Sequence, residues 1–163
     1  MKIRPFDEIL TVTNTVVASL LRSPTWQAAV ARASVDREPT LVERLDRRDS
    51  FYYVVTLRTA GRVTARLAID ANTAKLIQAQ GIELTSQTLD DYVSPADVVR
   101  KRSLAEGVEE PRFVQQVPAL GWRPCQESTS WLMPFWLIMI RDRIVYIRVD
   151  GQAFTRLTTS GRG

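Results

Sequence analysis

Residues 51–70, FYYVVTLRTAGRVTARLAID, and residues 135–150, FWLIMIRDRIVYIRVD, are two versions of one segment. Each opens on an aromatic pair, Phe51-Tyr52 or Phe135-Trp136, and continues into an apolar run. Each then passes arginine-bearing polar residues, resumes apolar/polar alternation, and ends on Asp70 or Asp150. β-Branched and aromatic residues with period-two alternation around a polar turn are the pattern of a β-hairpin. A hairpin has an apolar face that another element must cover. Two hairpins therefore predict two copies of a strand-based unit.

The flanking segments supply the covers. In DEILTVTNTVVASLLR, residues 7–22, Ile9, Val12, Val16, Val17, Leu20 and Leu21 recur at helical spacing, with Asp7 and Glu8 favourably placed in the first turn. Ser23-Pro24 is a cap-and-proline start for a second short helix carrying Trp26, Ala29, Val30 and Ala33. Strands are expected at 40–45, with Leu41 and Leu45 on one face, at 51–58, at 63–69 with one buried face, and at 75–80. Ser94-Pro95 repeats the helix start, and Gly107 stops that helix after Glu106. Strands at 113–117, 135–140, 144–149 and 153–157 follow. The predicted class is α+β: two repeated units, each a helix packed on a three- to four-stranded antiparallel sheet. The units span 1–85 and 86–163 and pack as one compact body.

The composition excludes several functions. The chain has 163 residues and no histidine. It can build no Ser-His-Asp triad, Cys-His dyad or histidine metal site by itself. Cys125 is the single cysteine, which rules out an internal disulfide and fits a reducing compartment. The net charge of +4 is too thinly spread to suggest a nucleic-acid surface. The longest apolar run, Trp131 to Ile140, is interrupted by Pro134 and is too short for a membrane helix, which needs about twenty residues. It is expected to be a central strand buried on both faces, or to lie in a dimer interface. No signal-peptide pattern opens the chain, so the expectation is a cytoplasmic protein without membrane insertion.

The stretch YYVVTLRTAGRVTARLAIDANTAKLI resembles the hairpin of PepSY domains, in which a Gly-containing turn joins two strands and the second ends in Asp-Ala before a Thr-Gly pair. Here Ala74 stands where that pattern usually has glycine, and in the second copy Gly151 follows Asp150 directly. The resemblance implies a cystatin-like helix-on-sheet architecture and a non-catalytic role in binding or restraining peptidases.

Candidate sites follow from these readings. Asp70 and Asp150 close turns through their carboxylates rather than forming a metal pair. Residues 121–134, GWRPCQESTSWLMP, have no counterpart in the first copy and hold Trp122, Arg123, Glu127, Ser128 and Trp131. Tryptophan and arginine dominate binding hot spots, so these five are the expected contacts for a peptide or protein partner. The competing reading makes the tryptophans a cover over the open end of the core. Cys125 is read as buried and unreactive. Arg58, Arg62, Arg66, Arg141, Arg143 and Arg148 are read as a solvated face that keeps the sheet soluble. No cofactor, metal or catalytic residue is called. The favoured function is a non-enzymatic binding or regulatory module. The alternatives are a cystatin-like small-ligand carrier or enzyme, with Tyr52, Tyr53 and Tyr146 lining a pocket, and a structural homodimer.

Overall fold

The computed structural model describes residues 3–81, 89–94, 96–97, 119–140 and 143–159. The chain divides into two compact units, Met1–Asp91 and Tyr92–Gly163. Nine strands and two helices are formed among the described residues, and both helices belong to the first unit.

The first unit begins with α1 (Phe6–Leu20) and α2 (Pro24–Val30). Asp7 and Glu8 lie in the first turn of α1, where the helix dipole favours negative charge. The inward stripe of α1 is Ile9 and Thr13, both buried, with Val16, Val17 and Leu20 half-buried against the core; Thr13 is admitted because its hydroxyl donates to the Ile9 carbonyl at 2.8 Å. Leu21, expected on this stripe, is exposed beyond the helix end. Ser23 occupies the N-cap of α2 and Pro24 its first position, but the Ser23 hydroxyl makes no capping bond.

Strands β1 (Ser34–Val35), β2 (Thr40–Arg44), β3 (Phe51–Thr59), β4 (Arg62–Asp70) and β5 (Leu76–Gly81) follow. β3 is central. β4 pairs along one side of it, and β5 pairs with β4. On the other side β2 pairs with residues 51–54 and β1 with residues 57–58. All these pairings are antiparallel. Tyr53, Val55 and Leu57 of β3 join Ala65, Leu67 and Ile69 of β4 beneath the helices, forming one core with Ile9, Ala29 and Val30.

Neighbours decide which strand faces are buried. β2 turns Val42 and Arg44 inward and leaves Leu41 exposed. Arg44 tolerates this because its guanidinium grips Asp46 through two bonds, at 2.7 and 2.5 Å. β4 was expected to bury one face, yet Thr64, Arg66 and Ala68 are buried as well. A strand whose neighbours lie on both sides, and whose two faces are both covered, loses the solvent face that alternation implies.

The β3–β4 turn is a two-residue loop. Ala60 and Gly61 have φ of 51° and 79°, the mirror-image turn whose twist matches a hairpin. Left-handed backbone strains Ala60, which is solvent-exposed, by about 1 kcal/mol. Ala60→Asn is expected to raise unfolding free energy by about 0.5–1 kcal/mol, because Asn-Gly is preferred in such turns. Denaturant titration at constant m-value would check it.

The second unit contains β6 (Ala119–Trp122), β7 (Phe135–Ile140), β8 (Arg143–Arg148) and β9 (Ala153–Phe154). They form an antiparallel meander in sequence order. Ile138, Val145 and Ile147 pack with Trp136 and Val93 on one face. The Trp136 indole donates to the Val93 carbonyl at 3.0 Å, and Val93 N–H to the Val149 carbonyl at 2.9 Å. The expected helix at 95–106 lies outside the described residues apart from Ala96 and Asp97, which are helical. Its cap is present: Asp97 N–H donates to the Ser94 hydroxyl at 3.1 Å, and that hydroxyl bonds the Asp97 carboxylate at 2.8 Å. The expected strand at 113–117 also lies outside the described residues.

The fold is therefore dominated by sheet, and the α+β expectation of two equivalent helix-on-sheet repeats is corrected. So is the cystatin-like architecture implied by the PepSY resemblance. The two hairpins are alike in sequence, but their surroundings differ. In the first unit α1 and α2 cover a hairpin face. In the second, the matching strands are braced by the ordered 122–134 segment, described next.

Candidate functional site

Residues 122–134 are an internal scaffold rather than a projecting loop. Trp122 is 2% exposed, and its indole donates to the Ser128 hydroxyl at 3.2 Å. That hydroxyl lies 2.8 Å from the Met133 carbonyl, to which it donates. Ser128 thus answers one buried donor and one buried acceptor, which explains a buried hydroxyl there. Trp131 stacks on Trp122 with ring centroids 4.2 Å apart. Trp131 is half-buried, so one indole shields the other.

The segment is tied to the C-terminal residues. Cys125 forms backbone bridges with Ser128 and Thr159. Gln126 N–H donates to the Thr158 carbonyl at 3.1 Å, and Thr158 N–H to the Glu127 carboxylate at 2.9 Å. Burial is the largest influence on Glu127 and opposes its charge, but the hydrogen bonds from Thr158, the local backbone and Cys125 together hold the carboxyl below its ordinary 4.5. The Arg123 guanidinium donates to the Leu157 carbonyl.

Of the five expected contact residues, Trp122 and Ser128 are therefore interior. Arg123, Glu127 and Trp131 are half-buried and engaged in holding the segment together. Cys125 is fully buried, and burial pushes its thiol above the ordinary 9.0, with Glu127 adding to the rise. A thiol held protonated is a poor nucleophile. Tyr52 and Tyr53 are buried, and the Tyr53 hydroxyl donates to the Arg4 carbonyl at 3.1 Å.

The two matching aspartates act as turn residues. One Asp70 oxygen accepts from Asn72 N–H at 2.9 Å and from Thr73 N–H at 2.7 Å. Asp150 accepts from Gln152 N–H at 3.2 Å and is gripped by Arg148 at 2.6–3.1 Å. The solvated-arginine reading is corrected for three of the six. Arg66 is 5% exposed, Arg58 joins Asp36 and Asp91, and Arg148 ties Asp150, Gln152 and the Glu127 carbonyl together. Arg62 is exposed, and the side chains of Arg141 and Arg143 lie outside the described residues.

A feature the sequence reading missed lies on the second hairpin. Register places Phe135, Leu137 and Met139 of β7 opposite Arg148, Tyr146 and Ile144 of β8 on one face. Phe135 is buried and meets Tyr146 and Phe154 edge-to-face at 6.3 and 6.0 Å. Exposure then rises along the hairpin: Leu137 and Tyr146 are half-buried, Met139 is 52% exposed and Ile144 40%. The expectation that residues 131–140 are buried on both faces fails at this end. The apolar alternation was visible in FWLIMI and RIVYIR; which face lacked a cover was not.

Three carboxyls, Asp46, Asp91 and Asp150, are held below their ordinary 3.8 by Arg44, Arg58 and Arg148 respectively. A depressed folded-state value contributes stability that is full above the unfolded value and is lost as pH falls through the folded one. Stability is accordingly expected to be flat above about pH 5 on account of these groups and to fall below it with proton uptake. Asp150→Asn should reduce that acid slope, measured by denaturant titration across the acid range.

No protein-family model matches the chain, and no curated protein matches it. Among solved structures, the crystal structure of a "putative lipoprotein" from Clostridium difficile 630 matches with a TM-score of 0.35 and 14% identity, over 96% of this chain and 94% of that one. A likeness of that degree defines no shared fold.

Proposed function

We propose that the chain is a non-enzymatic binding or regulatory module whose second unit receives a peptide or protein partner on the β7–β8 face. The observation that carries this reading is the directly opposed pair Met139 and Ile144, both exposed and continuous with Leu137 and Tyr146. Solvated apolar side chains aligned across two strands gain free energy when covered, at about 25 cal/mol per Å². Methionine adapts to irregular partner surfaces. The 122–134 scaffold has the supporting role of holding the buried end of the face rigid through Arg148 and Glu127.

The test is the double variant Met139→Glu, Ile144→Glu, checked for folding by circular dichroism. Proteins captured by the wild type and cross-linked near Met139 should be lost from the folded variant. Unchanged capture would show the face to be the wrong site. A wild-type dimer that dissociates in the variant, seen by sedimentation at several concentrations, would replace this reading by the structural homodimer.

A further inference from the structure

A second surface lies on the first unit, on the face of β3 and β4 turned away from α1 and α2. Thr56 pairs with Arg66, and Arg58 lies two residues beyond Thr56, so both guanidiniums rise from this face. The segment Leu89–Asp91 meets it from beside β4. Leu89 bridges Val63 by backbone pairing, Arg66 donates to the Asp90 carbonyl, and Arg58 donates to the Asp91 carboxylate at 2.6 Å. Leu89 is only half-buried and Asp90 and Asp91 are exposed, so polar anchors rather than apolar burial fasten the segment. Arg58 also holds Asp36 at 2.9 Å and the Gly61 carbonyl at 3.2 Å.

The charges complement each other. Residues 1–81 carry 12 basic and 8 acidic side chains, whereas residues 82–91 carry 3 acidic and none basic. The Asp91 side chain is 65% exposed and uses one oxygen, and exposed pairs of this kind are weak. Arg58 gives Asp91 only Nη2, because Nε holds Asp36 and Nη1 the Gly61 carbonyl, so a single charge-assisted bond fastens the Asp91 side chain.

We propose that Leu89–Asp91 is a displaceable internal ligand: it occupies in cis a site in which Arg58 takes a carboxylate and Arg66 a backbone carbonyl, and which an extended acidic peptide takes in trans. The face thereby becomes an interaction surface for a run of Asp and Glu, masked by the chain's own acidic segment. The proposal is independent of the β7–β8 reading, because its residues all lie in the first unit.

Fluorescein-labelled hexaglutamate is the probe, read by anisotropy at low and physiological ionic strength. Asp91→Asn should bind about three- to fivefold more tightly than wild type, the scale of an exposed ion pair. Added salt should weaken both, and Arg58→Lys in the Asp91→Asn background should reverse the gain. Equal affinity of wild type and Asp91→Asn, or no binding by the folded variant, would overturn the proposal. Hydrogen exchange on the wild type supplies an independent readout. Saturating hexaglutamate should speed exchange at Leu89–Asp91 while leaving Val55 and Leu67 unchanged; an unaltered pattern would overturn it equally.

Discussion

Trp122→Ala is expected to lower unfolding free energy by about 3–5 kcal/mol, the range for removing a large buried aromatic side chain. The loss has three sources. The indole is almost wholly buried, its N–H satisfies the Ser128 hydroxyl, and its ring supports Trp131. Trp131→Ala should cost much less, because that ring is half-buried. The stacked pair is a spectroscopic reporter as well: either substitution should abolish the exciton contribution of coupled indoles to circular dichroism. Equal, small losses for both variants would show that Trp122 is not a core residue. This contrast separates a core role from a contact role, which replacing both tryptophans together would blur.

Gly81→Val is expected to cost about 1–3 kcal/mol, as overpacking does in a filled core. A Cβ at Gly81 would lie 2.7 and 3.0 Å from two ring atoms of Trp26 and 3.1 Å from the Ala29 Cβ. Ala29 is fixed on α2, so either the Trp26 indole must rotate out of its place or the helix must move off β5. Valine adds two further carbons in the same direction. Thermal unfolding and near-ultraviolet circular dichroism would report the cost and the displaced Trp26. Unchanged stability would mean that α2 does not rest on Gly81.

Where local chemistry decides structure, residues alone were enough to read it. Proline at the first position placed the start of α2, and Asp70 and Ser94 announced an Asx turn and a helix cap. Alternation of β-branched residues placed β3, β4, β7 and β8. These signals act over a few residues and depend little on distant partners. Faces were less legible. Leu41 and Val42 are equally apolar, and register with β3 decides that Val42 enters the core. Arg66 looked like an outward strand arginine until Leu89–Asp91 met its face.

The candidate site was legible in its chemistry but not in its direction. The cluster of Trp122, Arg123, Glu127, Ser128 and Trp131 was singled out for hot-spot composition, yet the same residue types also build a hydrogen-bonded interior. Which role they take depends on the partners that folding brings close: the Met133 and Leu157 carbonyls and the Thr158 N–H for this segment.

The two related hairpins, their turn residues and the absence of histidine chemistry follow from the sequence by itself, because each rests on local backbone preference or on the side-chain inventory. Only the tertiary structure decided that, among the described residues, the hairpins stand in unlike settings. One lies beneath two helices; the other is braced at its base by a tryptophan-centred scaffold and leaves Met139 and Ile144 in solvent. The physical reason is that burial is a property of neighbours. An apolar strand face is written in the residues, but what covers it is supplied by chain segments far away in sequence.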